Sequence, residues 1–166
     1  LSVWHFLPLG PTAYGDSPYQ PLSTFAGNEM LVDIGDLIHL RLLNHGEVSE
    51  LTTLPDRYVD YGALIPIKNR LLALAASRFE SRVDEEILND FNSFIARNDN
   101  EWLHDYALFR ILKTRHGERP WPEWKPEYVH REAPALARLE HQEAEQIRAI
   151  KIIQYLFFRQ WWALRD

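Results

Sequence analysis

Apolar and polar positions along this chain follow the helical repeat over most of its length. From Leu64 to Phe79, Ile67, Leu71, Leu74 and Ala75 share one face, which predicts an amphipathic helix. Two more helices are predicted over Glu85 to Arg97 and Glu101 to Arg115, with Asn98 to Asn100 as a break and cap between them. Thr24 to Leu31 reads as a Gly-Asn turn region. Leu37, Ile38, Leu40, Leu42 and Leu43 then suggest a short or broken helix, ended by Asn44-His45-Gly46 with Gly46 as a left-handed cap. Four prolines between His116 and Pro134, with Trp121 and Trp124, predict an extended and packed loop. From Ala133 to Asp166 a stripe of Leu136, Leu139, Ile147, Ile150, Ile153, Phe157, Trp161 and Leu164 predicts one further helix. Ile152, Leu156, Phe158 and Trp162 make its last turns apolar nearly all round, so it must be buried on several sides.

The exception to the helical period is the beginning. Val3, Trp4, Phe6, Leu7 and Leu9 show no alternation, as expected of a strand in a parallel sheet covered on both faces. Pro8 and Gly10-Pro11 stop it. In parallel α/β folds the loop after such a strand lies where ligands are usually bound. Here that loop carries Tyr14, Asp16, Ser17, Tyr19 and Gln20 on a backbone bent at Gly15 and stiffened at Pro11, Pro18 and Pro21. An aromatic ring can lie on the apolar face of a sugar while short polar groups bond its hydroxyls. Composition alone leaves a merely packed surface loop equally open.

Composition narrows the class. The chain has 166 residues, enough for one domain or a piece of one. A net charge of −6 without a basic run argues against nucleic acid and against an anionic membrane surface. The absence of cysteine removes disulfide and thiol chemistry and fits a cytoplasmic protein. No apolar run approaches the length that spans a bilayer. Leu1 is no initiator and the apolar strand starts almost at once, so a truncated chain is expected.

The segments LPLGPTAYGDSPYQ and TFAGNEMLVDI resemble the signature of the bacterial amylomaltases, 4-α-glucanotransferases built on a (β/α)₈ barrel. Trp102-Leu103-His104-Asp105-Tyr106-Ala107-Leu108-Phe109 is similar to that family's WLxDYALF helix, and Gln154 to Leu164 to its FFRQW helix, in the same order along the chain. The resemblance implies an α/β parent barrel with a helical insertion, of which this chain is mainly α with one barrel-type strand. It further implies a barrel strand and glucan-binding loop over 1–31, a largely helical insertion over 32–134 and a returning barrel helix over 135–166. The implied activity transfers α-1,4-glucan pieces between maltooligosaccharides by retaining double displacement, without a cofactor. The family's Arg-x-Asp-His nucleophile context does not occur here, so the catalytic carboxylates are expected outside this chain. What carries over is binding: Tyr19 and Ser17 near the cleavage point, Asp16 and Gln20 bracing the loop or touching hydroxyls, Tyr14 farther out along the glucan. Ala13 stands where the family usually has Gly. Ile65 stands where some members carry an aromatic that works with the loop tyrosine.

Other eye-catching residues read as structural. Asp105 is expected to pair with backbone or an Arg, Tyr106 to enter the core, and Arg159 and Gln160 to anchor their helix to adjoining loops. The four tryptophans at 121, 124, 161 and 162 read as packing, and His39, His45, His116 and His141 as surface or capping groups. Glu101-x-x-His104 and Glu127-x-x-His130 have the spacing of a di-iron pair, which needs two long facing helices. The second copy follows Trp-Pro-Glu-Trp-Lys-Pro, so no metal is expected. The rival to the enzyme reading is a non-catalytic helical binding or scaffold module, possibly di-metal.

Overall fold

Capping residues set where the helices begin. In the computed structural model, which describes residues 3–13, 15 and 17–165, the Asp33 carboxylate accepts from Asp36 N–H and opens α1, Ile34–His39. Asp60 accepts from Ala63 N–H and opens α2, Tyr61–Arg82, a turn earlier than the apolar stripe predicts, because the cap and not the first buried residue fixes the start. Asp84 does the same for α3, Glu85–Asn98, through Ile87 N–H. The remaining helices are α4, His104–Arg115, α5, Pro126–Val129, α6, Ala133–Gln142, and α7, Ala144–Arg165. The chain is mainly helical, as its periodicity predicts.

Three expectations change. Gly46 does not take the left-handed conformation. Arg41 does, at φ 60°, because α1 already ends at His39 and the chain turns there. The break predicted at Asn98 to Asn100 is a π-type turn, Asp99–Leu103, which runs on into α4. Asn98 sustains it: its amide donates to Phe94 O at 2.7 Å and its Oδ1 accepts from Trp102 Nε1 at 3.0 Å. The single helix predicted after Ala133 is interrupted at Glu143, a buried carboxylate that leaves helical geometry and takes an ion pair from Arg115 of α4.

The predicted strand is not a strand here. Residues 3–9 join no ladder, and among the described residues the one β-bridge links Thr12 to Pro21. The reason is the lack of a partner, since extended backbone becomes sheet only when a neighbour takes up its N–H and C=O groups.

By contact the chain divides into two units, Leu1–Phe91 with Ile152–Asp166, and Asn92–Lys151. In the first, Phe79, Phe91 and Tyr155 meet edge to face with ring centroids 5.3–5.8 Å apart. Leu37, Leu42, Leu71, Leu72 and Leu156 are fully buried in the same unit. Lys68 of α2 is buried and spends its ammonium on Met30 O at 2.6 Å. Burial pushes that ammonium below its ordinary value, and the charge of Asp33 opposes the shift. Arg78 forks onto Glu47 at 2.8 and 3.0 Å and reaches Leu42 O. Its hydrogen bond holds the Glu47 carboxyl below the usual range.

The second unit packs Leu108, Ile111 and Leu112 of α4 against Trp124, Leu139 and Ile147. The proline-rich loop is built on Trp124, whose indole N–H donates to Arg119 O at 3.1 Å and whose ring stacks on His116. His116 also bonds Leu112 O and Lys125 N, so it is a loop staple. Asp105 pairs with Arg131 at 2.6 Å and Tyr106 is buried, both as expected.

Candidate functional site

The loop after residues 3–9 is tied shut at its base. Leu22 N–H donates to Pro11 O at 2.8 Å, Thr12 bridges to Pro21, and Asn28 N–H donates to Leu9 O at 2.8 Å. Pro11 is buried in this neck. The bend read at Gly15 has φ 65°, which a residue with a side chain seldom adopts. Farther along, Ser17 Oγ accepts from Tyr19 N–H at 3.4 Å, and Gln20 N–H donates to Ser17 O at 3.3 Å. These local bonds order the turn. They leave the Ser17 hydroxyl able to donate to a ligand oxygen.

On that neck the loop presents Tyr19, 70% exposed, with Gln20 exposed and Ser17 half-buried beside it. A ring that open contributes little to packing, so its area is available to something outside. Tyr14 and Asp16 lie outside the described residues. Ile65, in the first turns of α2, is half-buried, and Ala13 is half-buried at the loop's entry.

The loop is fixed to α7 by two glutamines that act as pieces of β-sheet. Gln154 Oε1 accepts from Gly27 N–H at 2.8 Å while its Nε2 donates to Gly27 O at 2.9 Å. Gln160 repeats the arrangement on Asp33, at 2.7 and 3.2 Å. A primary amide thus satisfies both polar groups of one residue of otherwise unpaired backbone. Gly27 lets the backbone come that close: a Cβ there would sit inside the ring of Phe157. Arg159 adds an ion pair to Asp36 at 2.9 Å. The anchoring expected of Arg159 and Gln160 is what they do, but the more deeply buried anchor is Gln154, 1% exposed. The signal for it was a polar residue standing alone among apolar ones, which sequence reading passed over.

A groove of about 700 Å³ lies beside this anchor, between Trp4, Phe6 and Leu9 on one side and Phe157, Trp161 and Leu164 on the other. Phe6 meets Trp161 edge to face at 5.1 Å. Trp161 and Trp162 are therefore packing residues, as is Trp124. Trp121 is half exposed.

The two Glu-x-x-His copies do not form the facing pair that a di-iron site needs. His104 accepts from Lys151 Nζ at 3.2 Å and bonds Glu140 at 3.1 Å, while Lys151 pairs with Asp99 at 2.5 Å. Glu127 belongs to the four-residue α5 and pairs with Arg138 at 2.7 Å. Among the described residues no group of three or more His, Cys, Asp or Glu is placed to hold a metal. No helix of the described residues is long and apolar enough to cross a membrane.

Residues 1–166, the whole chain, match the family described as 4-alpha-glucanotransferase. The chain belongs to that family. It is 41% identical over 165 residues to the 4-alpha-glucanotransferase of Thermus thermophilus, covering 98% of this chain and 31% of that protein. To the 4-alpha-glucanotransferase of Clostridium butyricum it is 34% identical over 164 residues, covering 98% and 33%. Among solved structures it is similar to an amylomaltase from Streptococcus agalactiae in complex with acarbose, with a TM-score of 0.84 at 30% identity, over 95% of this chain and 32% of that one. The chain spans about a third of the length of the 4-alpha-glucanotransferases it matches.

Proposed function

We propose that this chain is part of a longer 4-α-glucanotransferase with a (β/α)₈ barrel, acting in the cytoplasm on maltooligosaccharides and related α-1,4-glucans without a cofactor. The single observation that carries the reading is the family match across all of residues 1–166. The loop geometry fits it. A sugar ring has apolar C–H faces for Tyr19 to cover and hydroxyls within the competence of Ser17 and Gln20, on a turn whose neck is closed by backbone bonds. In this reading Ser17 and Tyr19 line the donor site near the cleaved bond. Asp16 and Gln20 steady the turn or touch hydroxyls, and Tyr14 meets the glucan farther out.

The reaction is a retaining transfer. A carboxylate attacks the anomeric carbon as a carboxylic acid protonates the leaving oxygen, and the covalent glycosyl group then passes to the 4-hydroxyl of an acceptor as the same acid, now a base, takes that proton. Both carboxyl groups belong to the part of the polypeptide outside residues 1–166, and this chain supplies grip and orientation. The test is product analysis on maltotriose. The full-length protein is expected to release glucose and build longer maltooligosaccharides, while residues 1–166 alone show no turnover. Turnover by the isolated chain would overturn the placement of the carboxylates. A full-length protein inactive on every α-1,4-glucan would overturn the function.

A further inference from the structure

α7 reaches the backbone beneath the Tyr19 turn through two side chains one helical turn apart, Gln154 and Phe157. We infer that Gln154 is a positioning residue for the reaction: through the Gly27–Asn28 peptide it sets where Tyr19 and Ser17 stand, and so how the donor sugar is held. This rests on the proposed function, which assigns that turn to glucan.

One peptide plane carries the effect from helix to turn. Gln154 holds both polar groups of Gly27, accepting from its N–H at 2.8 Å and donating to its C=O at 2.9 Å. That carbonyl belongs to the same planar, trans unit as the N–H of Asn28. In such a unit the two groups point in opposite directions, and the N–H on the far side donates to Leu9 O at 2.8 Å. Turning the plane loosens both bonds together. Phe157, three residues on and on the same face of α7, lies so close over Gly27 that a Cβ there would fall inside its ring. Two side chains of one helix therefore fix the plane.

Leu9 begins the neck of the loop. From it the chain passes Gly10, where an added Cβ would meet Pro21 at 2.8 Å, to Pro11, whose carbonyl accepts from Leu22 N–H at 2.8 Å. Arms packed this closely move together. The turn between them carries Tyr19 with its ring largely in solvent, so the ring takes its place from the backbone below. A displacement of about 1 Å in a group that orients substrate is enough to slow a reaction severalfold or more. Of the two glutamines only Gln154 feeds this path, since Gln160 holds Asp33, which opens α1 beyond the neck.

The test is a double-substitution cycle in the full-length enzyme, with kcat and KM on maltotriose measured at a temperature where each variant keeps the parent's far-UV circular dichroism. Gln154→Met, similar in length but without either bond, is expected to lower kcat/KM about fivefold, divided between kcat and KM as for Tyr19→Ala. In the Tyr19→Ala background the same change is expected to cost less than about twofold, because the ring it misplaces is already gone. An equal loss in both backgrounds, or no loss in either, overturns the inference and leaves Gln154 a residue that only stabilises. Where Gln154→Met does not fold, Asn28→Pro breaks the path on the other side of the plane: proline suits the φ of −74° there and lacks the N–H that Leu9 O accepts. Measured against Asn28→Ala, which keeps that N–H, it is expected to show the same Tyr19-dependent loss of about fivefold, and a loss independent of Tyr19, or none, overturns the inference. A Tyr19→Ala enzyme as active as the parent removes the glucan contact and the positioning role together. An effect of Tyr19→Ala without coupling to Gln154 removes the role and keeps the contact.

Discussion

Under the proposed function, Tyr19 separates binding from stability at the level of one side chain. With most of its ring in solvent, its removal takes little from the core and takes the aromatic surface from a ligand. In the full-length enzyme Tyr19→Ala is expected to lower kcat/KM on maltotriose roughly two- to tenfold, the equivalent of about 0.5–1.5 kcal/mol. Its melting temperature should match the parent's within a degree or two, and a calorimetric scan beside the kinetics checks both. The glutamines give the opposite contrast. Gln154 is sealed against Gly27, so Gln154→Leu strands a buried N–H and a buried C=O, at an expected cost of roughly 2–4 kcal/mol. Gln160 makes the same pair of bonds to Asp33, an exposed residue where water can substitute, so Gln160→Leu is expected to cost under about 1 kcal/mol. Urea denaturation of the two variants ranks them, and equal losses would show that solvent does not reach Asp33.

At the scale of elements, α3 and α7 are tied within the first unit by Tyr155. Its ring packs on Phe79 and Phe91, and its hydroxyl donates to Asp90 at 2.9 Å. Burial, then the hydrogen bond and charge of Asp90, push the phenol well above its ordinary value of 10.0. The folded state therefore keeps this proton at a pH where the unfolded chain gives it up. The stabilisation it brings is complete below pH about 10 and falls as the pH rises beyond it, by up to about 1.4 kcal/mol for each pH unit. Tyr155→Phe removes the ionisation and is expected to flatten the decline of stability between pH 10 and 11.5, at the expense of about 1 kcal/mol at pH 7 from the lost bond. Denaturation curves at both pH values measure the two effects separately. The π-type turn between α3 and α4 follows the same logic of local bonds: Asn98 and Trp102 hold it, where the sequence pattern suggested a break.

For the whole molecule, relatives about three times as long and an apolar groove beside an unpaired segment belong to one picture. Such a chain has two kinds of surface, the open turn at Tyr19 that the proposed function assigns to glucan and an apolar groove framed by Trp4, Phe6 and the end of α7. Excised, residues 1–166 should expose the second kind and self-associate. Sedimentation of the isolated chain is expected to show concentration-dependent association, and Leu164→Glu to reduce it by placing a charge on the apolar face. A monomer at all concentrations would show that the groove closes on itself.

The helices, their amphipathic faces and the turn over residues 11–21 were legible in the sequence because each depends on neighbours three or four residues away, or on the conformational limits of Pro and Gly. The structural roles of Asp105, Tyr106, Arg159 and Gln160 were legible too, since a polar group among apolar ones must find a partner. Which partner it finds was decided by residues more than a hundred positions apart, as where Gln154 meets Gly27 and Gln160 meets Asp33. The interruption at Glu143 and the left-handed turn at Arg41 belong to the same class, because the apolar repeat runs on through both and only the packed chain stops it there. Residues 3–9 carry the composition of a strand, but sheet is a property of pairs of segments, and within these residues the second segment is not present.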